Sequence, residues 1–211
     1  MSGLFITLEG TEGCGKSTQI TLLAERLRKS GRVVRQLREP GGTPIGEEIR
    51  HTLKHSHQNH AMTPEAELLL MSASRAQLVR EVIRPALAAG EVVLCDRFYD
   101  STVAYQGYGR GLDLQMIAGV TNIAVGDTRP RLTLWLDISS GVSEARLASR
   151  KSALPAERDR FEEADRAFFE RVAKGYEAIA AAEPGRIKRI NAAGSVEAVA
   201  AEIWAAVQGL L

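Results

Sequence analysis

The chain has 211 residues, 45% of them apolar and 25% charged, with a formal net charge of +1. That length suits a single domain burying roughly 70% of its unfolded surface. The balanced charge excludes a general polyanion binder such as a DNA-coating protein, so no nucleic-acid partner is expected and any anion site must be local.

Two cysteines, Cys14 and Cys95, are too few for a disulfide scaffold and lack metal-type spacing, which points to a reducing compartment. The start, MSGLFITLEGTEG, has no basic n-region and too short an apolar run for a signal peptide. No stretch approaches the ~20 apolar residues of a membrane span. A cytoplasmic protein without a membrane partner is the expectation. His51, His55, His57 and His60 cluster, but with no acidic or cysteine partner they are expected on a solvated helix end and loop rather than on a metal.

In chain order, LFITLE is a strand too continuously apolar to have a wet face. KSTQITLLAERLRKSG puts Ile20, Leu23, Ala24 and Leu27 on one helical stripe that stops at Gly31. RVVRQL is a second strand. The long helix TPEAELLLMSASRAQLVREVIRPALAAG has Thr63 as cap and Pro64 at its first position, and Pro85 should kink or interrupt its last turns before Gly90 closes it. EVVLC (strand), a polar loop, LDLQMIAGVTNIAV (helix), RLTLWLD (strand), two charged helical segments, RIKRIN (strand) and SVEAVAAEIWAAVQGLL (helix) complete the order. Such alternation predicts one α/β domain over 1–211 with a parallel sheet, helices on both faces and ligands at the carboxyl ends of the strands.

Between the first strand and helix, Gly10, Gly15, Lys16 and Ser17 of GTEGCGKST match the phosphate-binding pattern G-x-x-x-x-G-K-[ST] in the context its mechanism requires. Bare backbone N–H groups of Gly10, Thr11, Glu12, Gly13, Cys14, Gly15 and Thr18 can curl around phosphate oxygens at a helix N-terminus. Lys16 should reach the β- and γ-phosphates of a nucleoside triphosphate, and Ser17 should ligate Mg²⁺. The chain lacks the aspartate-x-x-glycine and N-K-x-D patterns of switch GTPases. Asp96, closing VVLCD, competes for the metal role with Asp137, which is better explained as a helix cap.

Three further clusters place arginine at strand ends or on the long helix: REPGGT (Arg38 to Thr43), MSASRAQ (Met71 to Gln77) and DRFYDSTVAYQG (Asp96 to Gly107). Guanidinium suits planar, bidentate recognition of a phosphate or a base edge, so a second anionic ligand is expected beside the first.

The phosphate loop, REPGG, Asp-Arg followed by STVAYQGYGRG, and an arginine-rich stretch after LWLD together resemble bacterial thymidylate kinases, over nearly the whole chain and in family order. The resemblance implies a P-loop kinase fold of about five parallel strands with a short helical lid over Ser143 to Asp165. It also implies a cytosolic homodimer, a Mg²⁺ requirement, and transfer of the ATP γ-phosphoryl group to dTMP. It puts Arg38 and Arg97 on the dTMP phosphate, Arg75 on the thymine edge, Thr102 and Gln106 in the base pocket, and Tyr105 against the sugar where a 2′-hydroxyl would sit. Glu12 matches an acidic position near the sugar or metal, and Asp96 would hold the metal's water shell and orient Arg97. Asn191 and Ala192 fall where adenine would lie. Met71 stands where the family usually has phenylalanine stacked on thymine, and its thioether can pack on a ring.

The variable loop positions Thr11, Glu12, Gly13 and Cys14 carry no base, so a cation for the transferring group must come from elsewhere. Arg146 and Arg150, i and i+4 on one helical face, are the candidates, Arg150 first. Arg158 and Arg160, flanked by acids, are explained at least as well as solvated surface. Two alternatives stay open: another P-loop nucleoside or nucleotide kinase, and a non-catalytic nucleotide-binding regulator.

Overall fold

In a computed structural model that describes residues 3–153, 160–161 and 165–211, five parallel strands form one sheet in the order β2-β3-β1-β4-β5. They are β1 (Leu4–Glu9), β2 (Val34–Arg38), β3 (Val92–Asp96), β4 (Leu132–Asp137) and β5 (Ile187–Asn191). The helices are α1 (Lys16–Lys29), α2 (Pro44–Lys54), α3 (Pro64–Leu78), α4 (Arg84–Ala88), α5 (Tyr99–Thr102), α6 (Leu114–Val125), α7 (Ser140–Ala153), α8 (Arg166–Ala182) and α9 (Val196–Val207). β1 is central, in register with β3 (Leu8 opposite Asp96) and with β4 (Leu8 opposite Leu134).

The pleat of β1 sends alternate residues to opposite faces. Ile6 and Leu8 join Leu94, Leu134 and Leu136 under α1 (Ile20, Leu23, Leu27) and α9 (Val199, Ile203, Val207). Phe5 turns to the other face with Val93, Cys95, Leu78, Ile83 and Phe98. A third cluster packs Trp135, Ile187 and Tyr105 against Phe168, Val172 and Tyr176 of α8. Burial on both faces explains why β1, β3 and β4 are mostly apolar on both sides, with Thr7, Glu9 and Thr133 as their buried polar residues.

Three elements depart from or refine the sequence expectation. The long helix is interrupted ahead of Pro85, as expected, but by a π-helical segment, Val79–Ile83, through which it runs on into α4. A wider π turn is one way to accommodate a proline whose ring would clash with the carbonyl four residues back. Second, α2 spans a stretch for which the chain order predicts no element, and its end carries His51 and His55, as expected of the histidine cluster. Thr43 caps it by accepting from the Gly46 N–H at 3.0 Å, and Pro44 opens it. Third, the polar loop after Asp96 is helical, α5 running into a π-helical segment, Val103–Gly109.

That third segment packs closely on α8 because Gly175 has no side chain. A Cβ there would lie 3.0 Å from the Ala104 Cα and from Tyr108. The next residue, Tyr176, is thereby brought within 2.9 Å of the Ser101 hydroxyl. Gly175→Val should cost about 1–3 kcal/mol through overpacking, read as a lower midpoint in denaturant titration. An unchanged midpoint would show that α8 is not held this close.

Candidate active site

The loop after β1, the carboxyl ends of β2 and β3 and the turn after β5 meet at a cleft of about 670 Å³ whose walls include Gly13, Lys16, Ser17, Thr18, Arg38, Asp96, Arg97, Arg146 and Ala192. The loop entering α1 is built on backbone conformations that suit glycine: φ is 136° at Gly10, 73° at Gly13 and 97° at Gly15. α2, α3, α6, α8 and α9 each have a Thr, Asp or Ser side chain accepting a first-turn N–H, whereas Gly15 offers α1 no such cap. The first-turn amides of α1 therefore remain for an anion.

Lys16 is nearly buried, and its ammonium donates to Gly10 O (3.0 Å), Thr11 O (2.9 Å) and Cys14 Sγ (3.5 Å). The Ser17 hydroxyl lies 3.2 Å from Asp96 Oδ2. These two hard oxygen donors at the mouth of a phosphate loop fit Mg²⁺. Asp137 does not cap a helix; it takes Arg189 at 2.6 Å and stays outside the cleft.

Arg97 stands at the junction. Its φ of 70° is left-handed, a conformation costing on the order of 1–3 kcal/mol for a non-glycine residue unless its surroundings hold it. The hold is dense. Its N–H donates to Leu8 O at 2.9 Å, Nη1 to Gly10 O (2.9 Å) and Ser101 Oγ (3.1 Å), and Nη2 to Glu12 Oε1 (2.7 Å) and Tyr105 OH (3.1 Å). Burial alone would raise the Glu12 carboxyl, but Arg97 and Lys16 hold it well below the usual carboxylate range.

Behind Arg97 lies Glu9, the last residue of β1 and fully buried. It accepts from the Phe98 N–H (2.7 Å), Ser101 Oγ (2.5 Å) and Tyr176 OH (3.1 Å). Burial, with the Asp100 charge adding to it, pushes the Glu9 carboxyl up to about 7 against these donors. Nothing in LFITLE distinguishes this glutamate from an ordinary strand end, and sequence reasoning missed it.

A second, narrower cavity of about 40 Å³ opens beside Arg97 and brings together Met71, Arg75, Thr102, Tyr105 and Gln106 with Phe161. Arg75 is 2% exposed, donating from Nε to Glu39 Oε2 (2.8 Å) and from Nη2 to Phe98 O (3.2 Å). Its Nη1 and the Glu39 Oε1 are buried without a hydrogen-bond partner among the described residues. Such groups are costly unless something binds them. Burial raises the Glu39 carboxyl to about 7, with Arg75 opposing. Arg38, by contrast, sits on the rim of the larger cleft, paired with Glu47 at 2.9 Å.

The first turns of α7 are tied to the phosphate loop. Ser143 Oγ donates to Glu12 O at 2.6 Å, and Arg146 donates to Gly13 O (3.5 Å) and Ala192 O (3.1 Å). Arg146 thus reaches the cleft as its sequence position suggests. Arg150 lies on α7, but its side chain is outside the described residues, as is Arg158. Arg160 is not solvated surface: its side chain is 11% exposed and paired with buried Glu67. Acidic neighbours in sequence are a poor guide when the real partner is 93 residues away.

The thymidylate kinase family model matches residues 8–203. A thymidylate kinase of Synechococcus sp. (strain JA-3-3Ab) is 52% identical over 97% of this chain and 95% of its own length. One from Pseudomonas putida F1 is 50% identical over 100% of this chain and 98% of its own. The crystal structure of thymidylate kinase from Ehrlichia chaffeensis superposes with a TM-score of 0.77 at 31% identity, covering 99% of this chain and 100% of that one. With a phosphate loop, an adjoining arginine-lined pocket and likeness along its full length, the chain belongs to the thymidylate kinase family.

Proposed function

We propose that this enzyme, which phosphorylates dTMP, divides its substrates between the two cavities, with Arg97 at their meeting point. The observation that carries the reading is that Glu12, Glu39, Lys54 and Arg97 line both cavities. A donor phosphate on the α1 amides and an acceptor beside Arg75 would then meet at Arg97.

The ATP triphosphate lies along Gly10 to Thr18, with Lys16 leaving its loop carbonyls for the β- and γ-oxygens. Arg97 takes the dTMP phosphate, and Arg38 approaches it from the rim once released from Glu47. Nη1 of Arg75 meets the thymine edge, Met71 packs on the ring face, and Tyr105 closes the sugar side. Thr102 and Gln106 complete the base pocket. Ser17 and Asp96 would hold Mg²⁺, which when bound would supply charge neutralisation for the transferring phosphates.

The acceptor is already an anionic nucleophile, so the protein's work is positioning, charge compensation and exclusion of water. Glu12 and Glu9 contribute by fixing Arg97, and no general base is needed. Ala192 lines the cleft, and on this reading it and neighbouring Asn191 fall at the adenine end. The orphaned Arg75 and Glu39 atoms call for a polar acceptor molecule in the second pocket, and a pure sensor has no use for such a pocket.

The chain acts as one domain, and we take it to be a cytoplasmic homodimer. Free Cys14 and Cys95 suit a reducing setting, and among the described residues no helix is long and apolar enough to cross a membrane. Leu69 on α3 and Ile123 on α6 are 59% and 76% exposed on adjoining helices, which suits a self-associating face.

Arg75→Ala should relax discrimination between dTMP and other deoxynucleoside monophosphates, because the site loses its penalty against a wrong base. Arg97→Ala should lower turnover with every acceptor. Steady-state kinetics on an acceptor panel separates the two, and equal loss of discrimination in both variants would contradict the split.

For the lid, Arg146 and Arg150 supply the cation that the phosphate loop lacks, contributing most in the transition state. Arg150→Ala should lower kcat by about 10²-fold or more with little change in the ATP KM. If kcat stays within about threefold of wild type in both Arg146→Ala and Arg150→Ala, the lid does not supply the catalytic cation.

A further inference from the structure

Glu67 of α3 is completely buried, yet its carboxylate serves three side chains. Gln106 Nε2 donates to Oε1 at 2.7 Å, and Arg110 donates from Nε to Oε1 (3.3 Å) and from Nη2 to Oε2 (3.1 Å). The third donor is Arg160 Nη1, on Oε2. Arg160 is fixed at two further points: its backbone N–H donates to Lys54 O at 3.2 Å, and its Nη2 to Met62 O at 3.2 Å. A buried carboxylate needs one guanidinium to compensate its charge, and Arg110 already provides it. The second must be explained by something else.

What Arg160 brings is position. Its neighbour Phe161 is 3% exposed, meets Tyr105 edge-on with ring centroids 6.4 Å apart, and lines the narrow cavity with Gln106. One N–H of the Gln106 amide is committed to Glu67, which fixes the orientation of the amide and so of the carbonyl oxygen and second N–H that remain. With Phe161 seated the cavity is about 40 Å³, so an entering base meets that ring directly.

We propose that Arg160 is a positioning residue for the acceptor pocket: by docking on Glu67 it fixes the Gln106 amide and seats Phe161 as a wall of the base site. The proposal rests on the reading of this cavity as the dTMP pocket. It touches neither phosphate nor transferring group, so its effect falls on acceptor binding rather than on turnover.

The test is Arg160→Ala, with Arg160→Lys as conservative rescue and Arg75→Ala in parallel, each measured for kcat, for both KM values, and for dTMP affinity by calorimetry without ATP. Arg110 still neutralises Glu67 in Arg160→Ala, so the fold should persist, which far-ultraviolet circular dichroism checks. The expected result is a dTMP KM and Kd raised about tenfold, as for loss of one charge-assisted hydrogen bond in a buried network. The ATP KM and kcat should stay within about twofold, and Arg160→Lys should recover part of the affinity. Unchanged dTMP affinity in Arg160→Ala, or a loss shared equally by ATP, overturns the positioning role. If Arg75→Ala also leaves dTMP affinity unchanged, the pocket reading itself falls; if Arg75→Ala weakens dTMP and Arg160→Ala does not, only the Arg160 proposal falls.

Discussion

The Arg97 Nη2, 2.7 Å from Glu12 and 3.1 Å from Tyr105, ties the phosphate loop to the segment that walls the second cavity. Its backbone sits where β3 ends beside β1, in a left-handed conformation secured by a bond to Leu8 O. The edge of a parallel sheet is where connecting loops from neighbouring strands converge. Here that convergence is fixed by one side chain with five hydrogen-bond acceptors around it. If Arg97 moves, Glu12 and the loop it belongs to lose their anchor, and Tyr105 loses its hydroxyl partner.

Such a charge can be buried only because its surroundings are charged and hydrogen-bonded in turn. Glu12 supplies the direct counter-charge. Glu9, Ser101 and Tyr176 make a supporting layer that brings β1, α5 and α8 to the same point. Asp100 has its own counter-charge in Arg186, just before β5, at 2.7 Å. The sheet therefore does more than carry loops: Glu9 and Thr133, which are polar residues on otherwise apolar strands, face the cluster that stabilises the site. Preorganisation of this kind lets a kinase act by electrostatics without reorganising at the moment of transfer.

Much of this was legible in the chain. β1, the glycine loop and α1 follow from an apolar run, left-handed glycines and a helical stripe, all local signals. Lys16 and Ser17, singled out by motif spacing, and Arg75, Arg97 and Gln106, singled out by the family resemblance, line the two cavities. What was not legible is tertiary. α2 carries the same Thr-Pro opening as α3, but Gly46 and its histidines weakened the pattern. Thr102, Val103, Gly107 and Gly109 have poor helix propensity, and packing against α8 overrides it. Glu9 and Glu67 acquire their roles from partners far along the chain, and Arg160 was misread because its sequence neighbours are acids while its structural partner is in α3.

The central claim is that Glu12 and Arg97 act as one unit joining the donor loop to the acceptor pocket. A double-mutant cycle with Glu12→Gln and Arg97→Lys, followed as kcat/KM for dTMP at saturating ATP, tests it directly. Residues in one hydrogen-bonded network couple, so the double variant should differ from the sum of the single variants by about 1 kcal/mol or more. Additivity within about 0.5 kcal/mol would mean that the two side chains act independently, and Arg97 would no longer be the link between the two cavities.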